Sequence, residues 1–296
     1  MVAPAEFTSY YGRPILKEPA WKQPDVPLYL FLGGMAGSSA SISVLADLTR
    51  RPGLARVGRL AAAGGAVASV VALIHDLGRP TRFLHMLRVL KPTSPLSVGS
   101  WILAPFSGLA SVAAGSAETG LLKPIGTLAG IAAGVAGPAM CTYTAVLLAD
   151  TATPSWHEGR RLLPVLFAGS AVTSGAGISL IAAPKAETGP VVRAALAGAA
   201  AELVAAHQLE HSLGLVSEPY RTGRAGKLLK AARGLTVTAA GLSLAARRSK
   251  AAAVASGAAY LAAGLCTRFG VYQAGVESAR DPKYVVVPQR ARLDGQ

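Results

Sequence analysis

The sequence predicts an all-α, polytopic membrane protein with eight transmembrane helices. Three observations lead there. Eight apolar runs of near-bilayer length recur along the 296 residues, and the loops between them hold most of the charge. The chain is 51% hydrophobic and only 15% charged, with a mean hydropathy of +0.41, whereas soluble domains carry about 25% charged residues. A hydrocarbon core about 30 Å thick takes about 20 helical residues to cross, a length these runs match again and again. Helices are the spanning form they allow. Lipid satisfies no backbone group, and the runs are too long and continuous for barrel strands.

Residues 1–26 are expected to form a polar arm. This stretch holds Pro4, Pro14, Pro19 and Pro24, several charges and no apolar h-region, so it does not read as a signal peptide. The first span is expected at 27–47 and the second at 54–75. A long loop is expected at 76–97, marked by the run HDLGRPTRFLHMLRVLKPTSPL that begins at its edge with His75. The third span follows at 98–117 and the fourth at 124–149, the latter interrupted by Pro138. The segment DTATPSWHEGRR leads into a fifth span at 161–183 and a sixth at 190–213. A basic loop, SEPYRTGRAGKLLK, precedes a seventh at 228–246. The turn RRSK precedes an eighth at 251–274, and a polar tail runs over 275–296.

Small residues mark expected helix contacts. Gly126, Gly130 and Gly134 recur every four residues, as do Gly33 and Gly37, and such ridges let backbones approach closely. An even number of spans places both termini on one side, together with the loops after spans two, four and six. Those segments carry the larger share of the 29 Lys and Arg residues, which favours cytoplasmic termini.

The formal charge of +14 and pI near 10.2 do not indicate nucleic acid. The basic residues flank apolar spans, where they set orientation and meet anionic headgroups. No basic helix or stacking platform stands apart from the membrane segments. Cys141 and Cys266 both lie inside apolar spans, and no CxxC is present. That leaves no cysteine set for an iron–sulfur cluster or a zinc site.

Polar side chains inside a membrane protein are costly and mark function. Tyr143, in the run CTYTAVLLAD, and His75, at the end of span two, could donate to the two carbonyl oxygens of a quinone if spans two and four are adjacent. The alternatives are an interfacial aromatic for Tyr143 and a helix C-terminal cap for His75. Span six reads AELVAAHQLEHSLG, with Glu202 the deepest acid and His207, Glu210 and His211 following at i, i+3, i+4 spacing. That series could relay protons toward one surface. It could equally be an interhelical hydrogen bond with an interfacial His/Glu cluster. His75 and His207 could ligate a haem, but no second such pair lies deep in other spans. A proton or small-solute transporter is a further alternative, yet the two halves show no convincing similarity.

The run from His75 to Trp101, HDLGRPTRFLHMLRVLKPTSPLSVGSW, resembles the signature loop of the NrfD family, the polysulfide-reductase-type membrane subunits. The segments VPLYLFLGGMAGSSA, YTAVLLADTATPSWHE and SARDPKYVVVPQR resemble actinobacterial members. The resemblance implies two four-helix bundles, the first over 27–150 with a quinone site and the second over 151–274. It implies an anchor without haem or iron–sulfur cluster of its own. That anchor would bind menaquinone or menaquinol and exchange electrons with a ferredoxin-like iron–sulfur subunit, which in turn contacts a molybdopterin oxidoreductase. The substrate half-reaction (formate, polysulfide, thiosulfate or nitrite) would belong to that other chain. Tyr143 matches the family tyrosine, Asp76 the family acid before LGRP, and Tyr29 lies where residues face the same site. His75 stands beside Asp76 where many relatives have an apolar residue. Asp76 with His75 is expected to accept or orient a proton, and Arg79 to anchor Asp76 or the partner. Glu202, His207 and Glu210 are the candidates for a proton route. A purely structural anchor without quinone chemistry remains the other class.

Overall fold

The computed structural model describes residues 15–294, and the elements are all helical. In chain order they are α1 (Asp25–Leu48), α2 (Pro52–Leu77), α3 (Thr81–Met86), α4 (Pro95–Thr119), α5 (Lys123–Ala149) and α6 (Pro154–Glu158). There follow α7 (Leu163–Ala182), α8 (Gly189–Ser212), α9 (Glu218–Arg221), α10 (Gly223–Ala245), α11 (Lys250–Arg280) and α12 (Lys283–Asp294).

Local sequence explains most of these boundaries. Prolines occupy the first or second position of α2, α4, α5, α7 and α8, where the missing N–H has no intrahelical partner and the fixed φ is already helical. Gly78 ends α2 at φ 71°, a backbone conformation that glycine adopts without a Cβ penalty. The Ser249 hydroxyl accepts from Ala252 N at 3.2 Å to cap α11. The start of α2 is capped from a distance, with Glu187 accepting from Leu54 N at 2.7 Å.

Among the described residues, seven helices are long and apolar enough to cross a membrane: α1, α2, α4, α5, α7, α8 and α11. The expected seventh span, 228–246, is indeed helical, but α10 begins earlier and is not among the seven. Its first turns carry Arg224, Lys227, Lys230 and Arg233. Two further expectations gain detail and one is corrected. The 76–97 loop contains the short helix α3, and the tail continues as helix through α11 and α12. Pro138 does not interrupt its span, because α5 runs straight through it. Proline at 138 deprives the Gly134 carbonyl of its helical donor, and the Ser41 hydroxyl of α1 supplies one at 2.8 Å. Of the polar arm, residues 1–14 lie outside the described part.

α1 is the central helix, packed against α2, α5, α7 and α11. α4 lies on α5 and α2, α7 on α8 and α11, and α10 on α11 and α8. The glycine ridges sit at these contacts. A Cβ on Gly37 would strike the Gly137 carbonyl and Met140 of α5, so the two backbones touch there.

One end of the molecule is closed by a plug of aromatics. Trp156 of α6 is fully buried and donates from Nε1 to the Val271 carbonyl at 2.8 Å. It stacks on Trp21 of the arm with ring centroids 5.8 Å apart and packs against Tyr272. Gly275 leaves room for the indole. The Tyr272 hydroxyl donates to the Trp21 carbonyl at 2.5 Å, and Arg280 pairs with Glu18 at 3.0 Å. The arm is thereby bound to the end of α11. On the same face, Lys283 of α12 pairs with Glu218 of α9 at 3.1 Å, which holds its ammonium above the ordinary lysine range.

Candidate functional site

Two buried tyrosines meet between α1 and α5. Tyr29 lies near the start of α1 and Tyr143 near the end of α5, so antiparallel packing brings them level. Their hydroxyl oxygens are 2.6 Å apart and share one hydrogen bond. Their rings meet edge-on, with centroids 6.4 Å apart. Helix α4 makes room with Gly99, where an added Cβ would lie 2.9 Å from the Tyr143 ring. Helix α2 contributes Ser69, whose hydroxyl donates to the Tyr29 carbonyl at 3.1 Å. Leu30, Leu73, Leu103, Phe106 and Met140 belong to the same apolar core. Four helices therefore surround a pair of neutral hydroxyls with hydrocarbon.

The other residues expected at this site lie at the arm end, where α2 finishes. His75 is exposed, and its Nδ1 lies 2.8 Å from Asp25 Oδ2 at the start of α1. Asp76 accepts from the Lys22 backbone N–H at 2.8 Å. Arg79 is exposed in the turn that follows. The structure thus brings Tyr29 and Tyr143 into direct contact, while His75 and Asp76 engage the arm and the first turn of α1.

A second polar cluster lies among α7, α8, α10 and α11. Glu202 is 3% exposed and accepts from Thr267 at 2.8 Å and from Thr173 at 3.4 Å. Beside it, Arg268 is fully buried. The guanidinium lies 3.7 Å from the Phe167 ring centroid and donates to the carbonyls of Phe167 at 2.9 Å and Leu30 at 3.4 Å. Its Nη1 has no hydrogen-bond partner among the described residues. Guanidinium does not deprotonate in proteins, so Arg268 brings a fixed charge into the bundle next to Thr267, the residue that holds Glu202. Further along α8, Glu210 is buried and paired with Arg233 of α10 at 2.7 Å. A cavity of about 10 Å³, walled mainly by Leu166, Leu203, Ala206 and Leu229, touches Glu202 and Arg233. The spacing expected to group His207, Glu210 and His211 instead divides them. Glu210 points inward, while His207 and His211 are exposed, with stacked rings 4.3 Å apart.

Arg268 was not among the sequence candidates, although an arginine inside an apolar run is a signal of the same kind as Glu202. Asp25 and Trp156 were also missed. Their roles depend on partners 50 and 115 residues away in the chain.

A family model described as polysulfide reductase, of the NrfD type, matches residues 7–280. The chain belongs to the NrfD polysulfide reductase family. No curated protein matches it. Membership and the seven membrane-length helices make it a multi-pass membrane protein of a family that supplies membrane subunits to oxidoreductase complexes. In this NrfD-family chain the HDLGRP run forms the end of α2, the Gly78 turn and the lead into α3. Its acid, Asp76, is held by the arm. The YT run of this chain places Tyr143 on the inner face of α5, against Tyr29. Among the described residues no group of three or more His, Cys, Asp or Glu side chains converges as metal ligands.

Proposed function

We propose that this chain is the quinone-reacting membrane subunit of a molybdopterin oxidoreductase complex, with Tyr29 and Tyr143 as its headgroup site. The observation that carries the reading is the buried hydroxyl pair at 2.6 Å. Two phenols supply one donor each, and here one of those donors is used up on the other phenol. A carbonyl oxygen inserted between them takes both. The apolar walls from α1, α2, α4 and α5 suit a ring and a prenyl tail, so the residues present fit the group. A bound quinone supplies a carrier of two electrons and two protons.

The chain's own residues divide the remaining work. Tyr143 donates to a quinone oxygen and Tyr29 orients it. Asp76 and His75, at the arm end, accept or orient the proton that leaves, and Arg79 offers a cation to the docking partner. Glu202, the small cavity beside it, and the Arg233–Glu210 pair form the second-tier proton route, with His207 at its exposed end. The ferredoxin-like iron–sulfur subunit docks on the face where the arm, α3, α6 and α12 gather, and it connects to the molybdopterin subunit. α10 completes eight crossings in two four-helix groups, over 27–150 and 151–274. Its basic first turns lie in the headgroup layer, where long side chains extend to water. The Lys and Arg bias places both termini in the cytoplasm.

The test is Tyr143→Phe in the assembled complex. Menaquinol-linked turnover should fall about tenfold or more, the value of one lost hydrogen bond, with assembly intact. Unchanged turnover would remove Tyr143 from the site. Partner-free vesicles that move a solute would favour the transporter, and failure of the complex to bind a quinone analogue would leave a structural anchor.

A further inference from the structure

The end of the molecule away from the arm holds a cavity that the quinone reading leaves unused. It opens where α1 and α4 finish and α2 and α5 begin. Val44 and Leu48 of α1 and Gly130 and Ile131 of α5 give it apolar walls, and Arg59 and Lys123 supply its cations. Leu48 and Ile131 are exposed, so this wall faces the surrounding medium. For a membrane helix that medium is lipid.

The two cations are unequally committed. Arg59 gives Nη1 to Asp47 at 2.6 Å. Its Nε is buried and finds no acceptor among the described residues. Lys123 is exposed at the first turn of α5 and makes no side-chain ion pair among the described residues. The α5 terminus beside it has no side-chain cap, so its partial positive charge adds to the two cations. Arg59 lies seven residues into α2, roughly 10 Å from the helix start. The charges therefore extend from the membrane surface inward, with hydrocarbon walls alongside them.

We infer that this cavity is a binding site selective for an anionic phospholipid, its phosphate held by Arg59 and Lys123 and an acyl chain lying in the groove over Gly130. Both features are needed. A cationic rim alone takes any anion, and an apolar groove alone takes any lipid. Asp47 acts as a positioning residue, fixing the guanidinium from one side. A phosphodiester matches a guanidinium better than a zwitterionic headgroup does, because its charge is not offset by an adjacent ammonium.

The test uses the delipidated full chain in detergent, offered equal amounts of phosphatidylglycerol and phosphatidylcholine, with retained lipid counted by native mass spectrometry. Phosphatidylglycerol should be retained preferentially. Lys123→Gln should lower that preference roughly fivefold, as expected for one cation near a headgroup layer, and Arg59→Gln by a similar factor. If Arg59→Gln does not fold, Lys123→Gln and Gly130→Leu decide alone. A Cβ at 130 meets Ala113 at an ordinary 3.5 Å, so the backbone tolerates the leucine while its side chain fills the groove. Gly130→Leu should reduce retention of both lipids. Equal retention of the two lipids by the parent, or full selectivity in Lys123→Gln, would overturn the inference. So would displacement of the lipid by millimolar inorganic phosphate, which would mark a simple anion site.

Discussion

Tyr29 and Tyr143 meet through neutral hydroxyls, whereas in the second cluster Glu210 and Arg233 meet through charges and Arg268 carries a buried guanidinium. Both clusters lie at helix contacts, with Arg233 part-exposed at the edge of the second, and both replace hydration with internal partners. The difference lies in what each can release. Two phenols bonded to each other lose little when an incoming carbonyl takes both protons, because one hydrogen bond is exchanged for two. An arginine inside the bundle has no such freedom. Its charge is permanent, and removing a partner leaves an uncompensated ion, at several kcal/mol. The neutral cluster suits a ligand that arrives and leaves. The charged cluster suits a fixed internal framework.

The largest expected effect breaks the charged side of this comparison. Arg268→Leu should destabilise the chain by about 3 kcal/mol, since it leaves the buried Phe167 and Leu30 carbonyls without their donor and takes a cation from the neighbourhood of Glu202. Thermal unfolding of the purified protein reads it. Adding Glu202→Gln in the same chain should recover part of the loss, and a double variant as unstable as the sum of its parts would show that the two groups do not act as a pair.

Next comes Gly99→Val, which thrusts a branched side chain into the Tyr143 ring. An overpacked contact costs about 1–3 kcal/mol, and quinone-analogue binding should fall with it. Binding that survives would place the headgroup elsewhere.

The neutral side is sharpened by Tyr29→Phe. It leaves one buried phenol without a partner, worth about 1 kcal/mol or slightly more. The double variant with Tyr143→Phe should be less destabilised than the two single changes combined, because no orphaned hydroxyl remains. Strict additivity, seen in denaturant or thermal unfolding, would mean the 2.6 Å contact is energetically idle.

The smallest effect is expected from Asp25→Asn. The pair it makes with His75 has one exposed member, and exposed pairs contribute little and are screened by salt. Unfolding should move barely at all, and any shift should vanish at high ionic strength. A large loss would assign the pair a structural role that its exposure does not suggest.

Much of this was legible in the chain, and the reason is locality. A span is a run of about 20 residues and needs no partner to be recognised. Helix starts carry their own prolines, and Gly78 announces the end of α2 two residues after Asp76. Tyr143 and Glu202 stood out because polar groups are rare inside such runs. The failures also have a local cause. The basic first turns of α10 and its apolar second half average to a weak signal, so the run reads as a span from 228 while the helix starts at Gly223. Pro138 reads as a break, yet Ser41 on another helix repairs the lost bond. The His207, Glu210 and His211 spacing fixes angles around α8 but not which side faces α10.

The amino-acid order alone determined that this is a membrane-length helical chain, where its turns fall, and which residue types are costly enough to notice. Only the tertiary structure decided that Tyr29 faces Tyr143 across 114 residues, that Arg268 reaches Leu30 across 238, and that Glu210 turns toward Arg233. Hydropathy is a property of each segment by itself. The meeting of two side chains depends on the rotation and pairing of helices, which packing of small residues over the whole molecule sets at once.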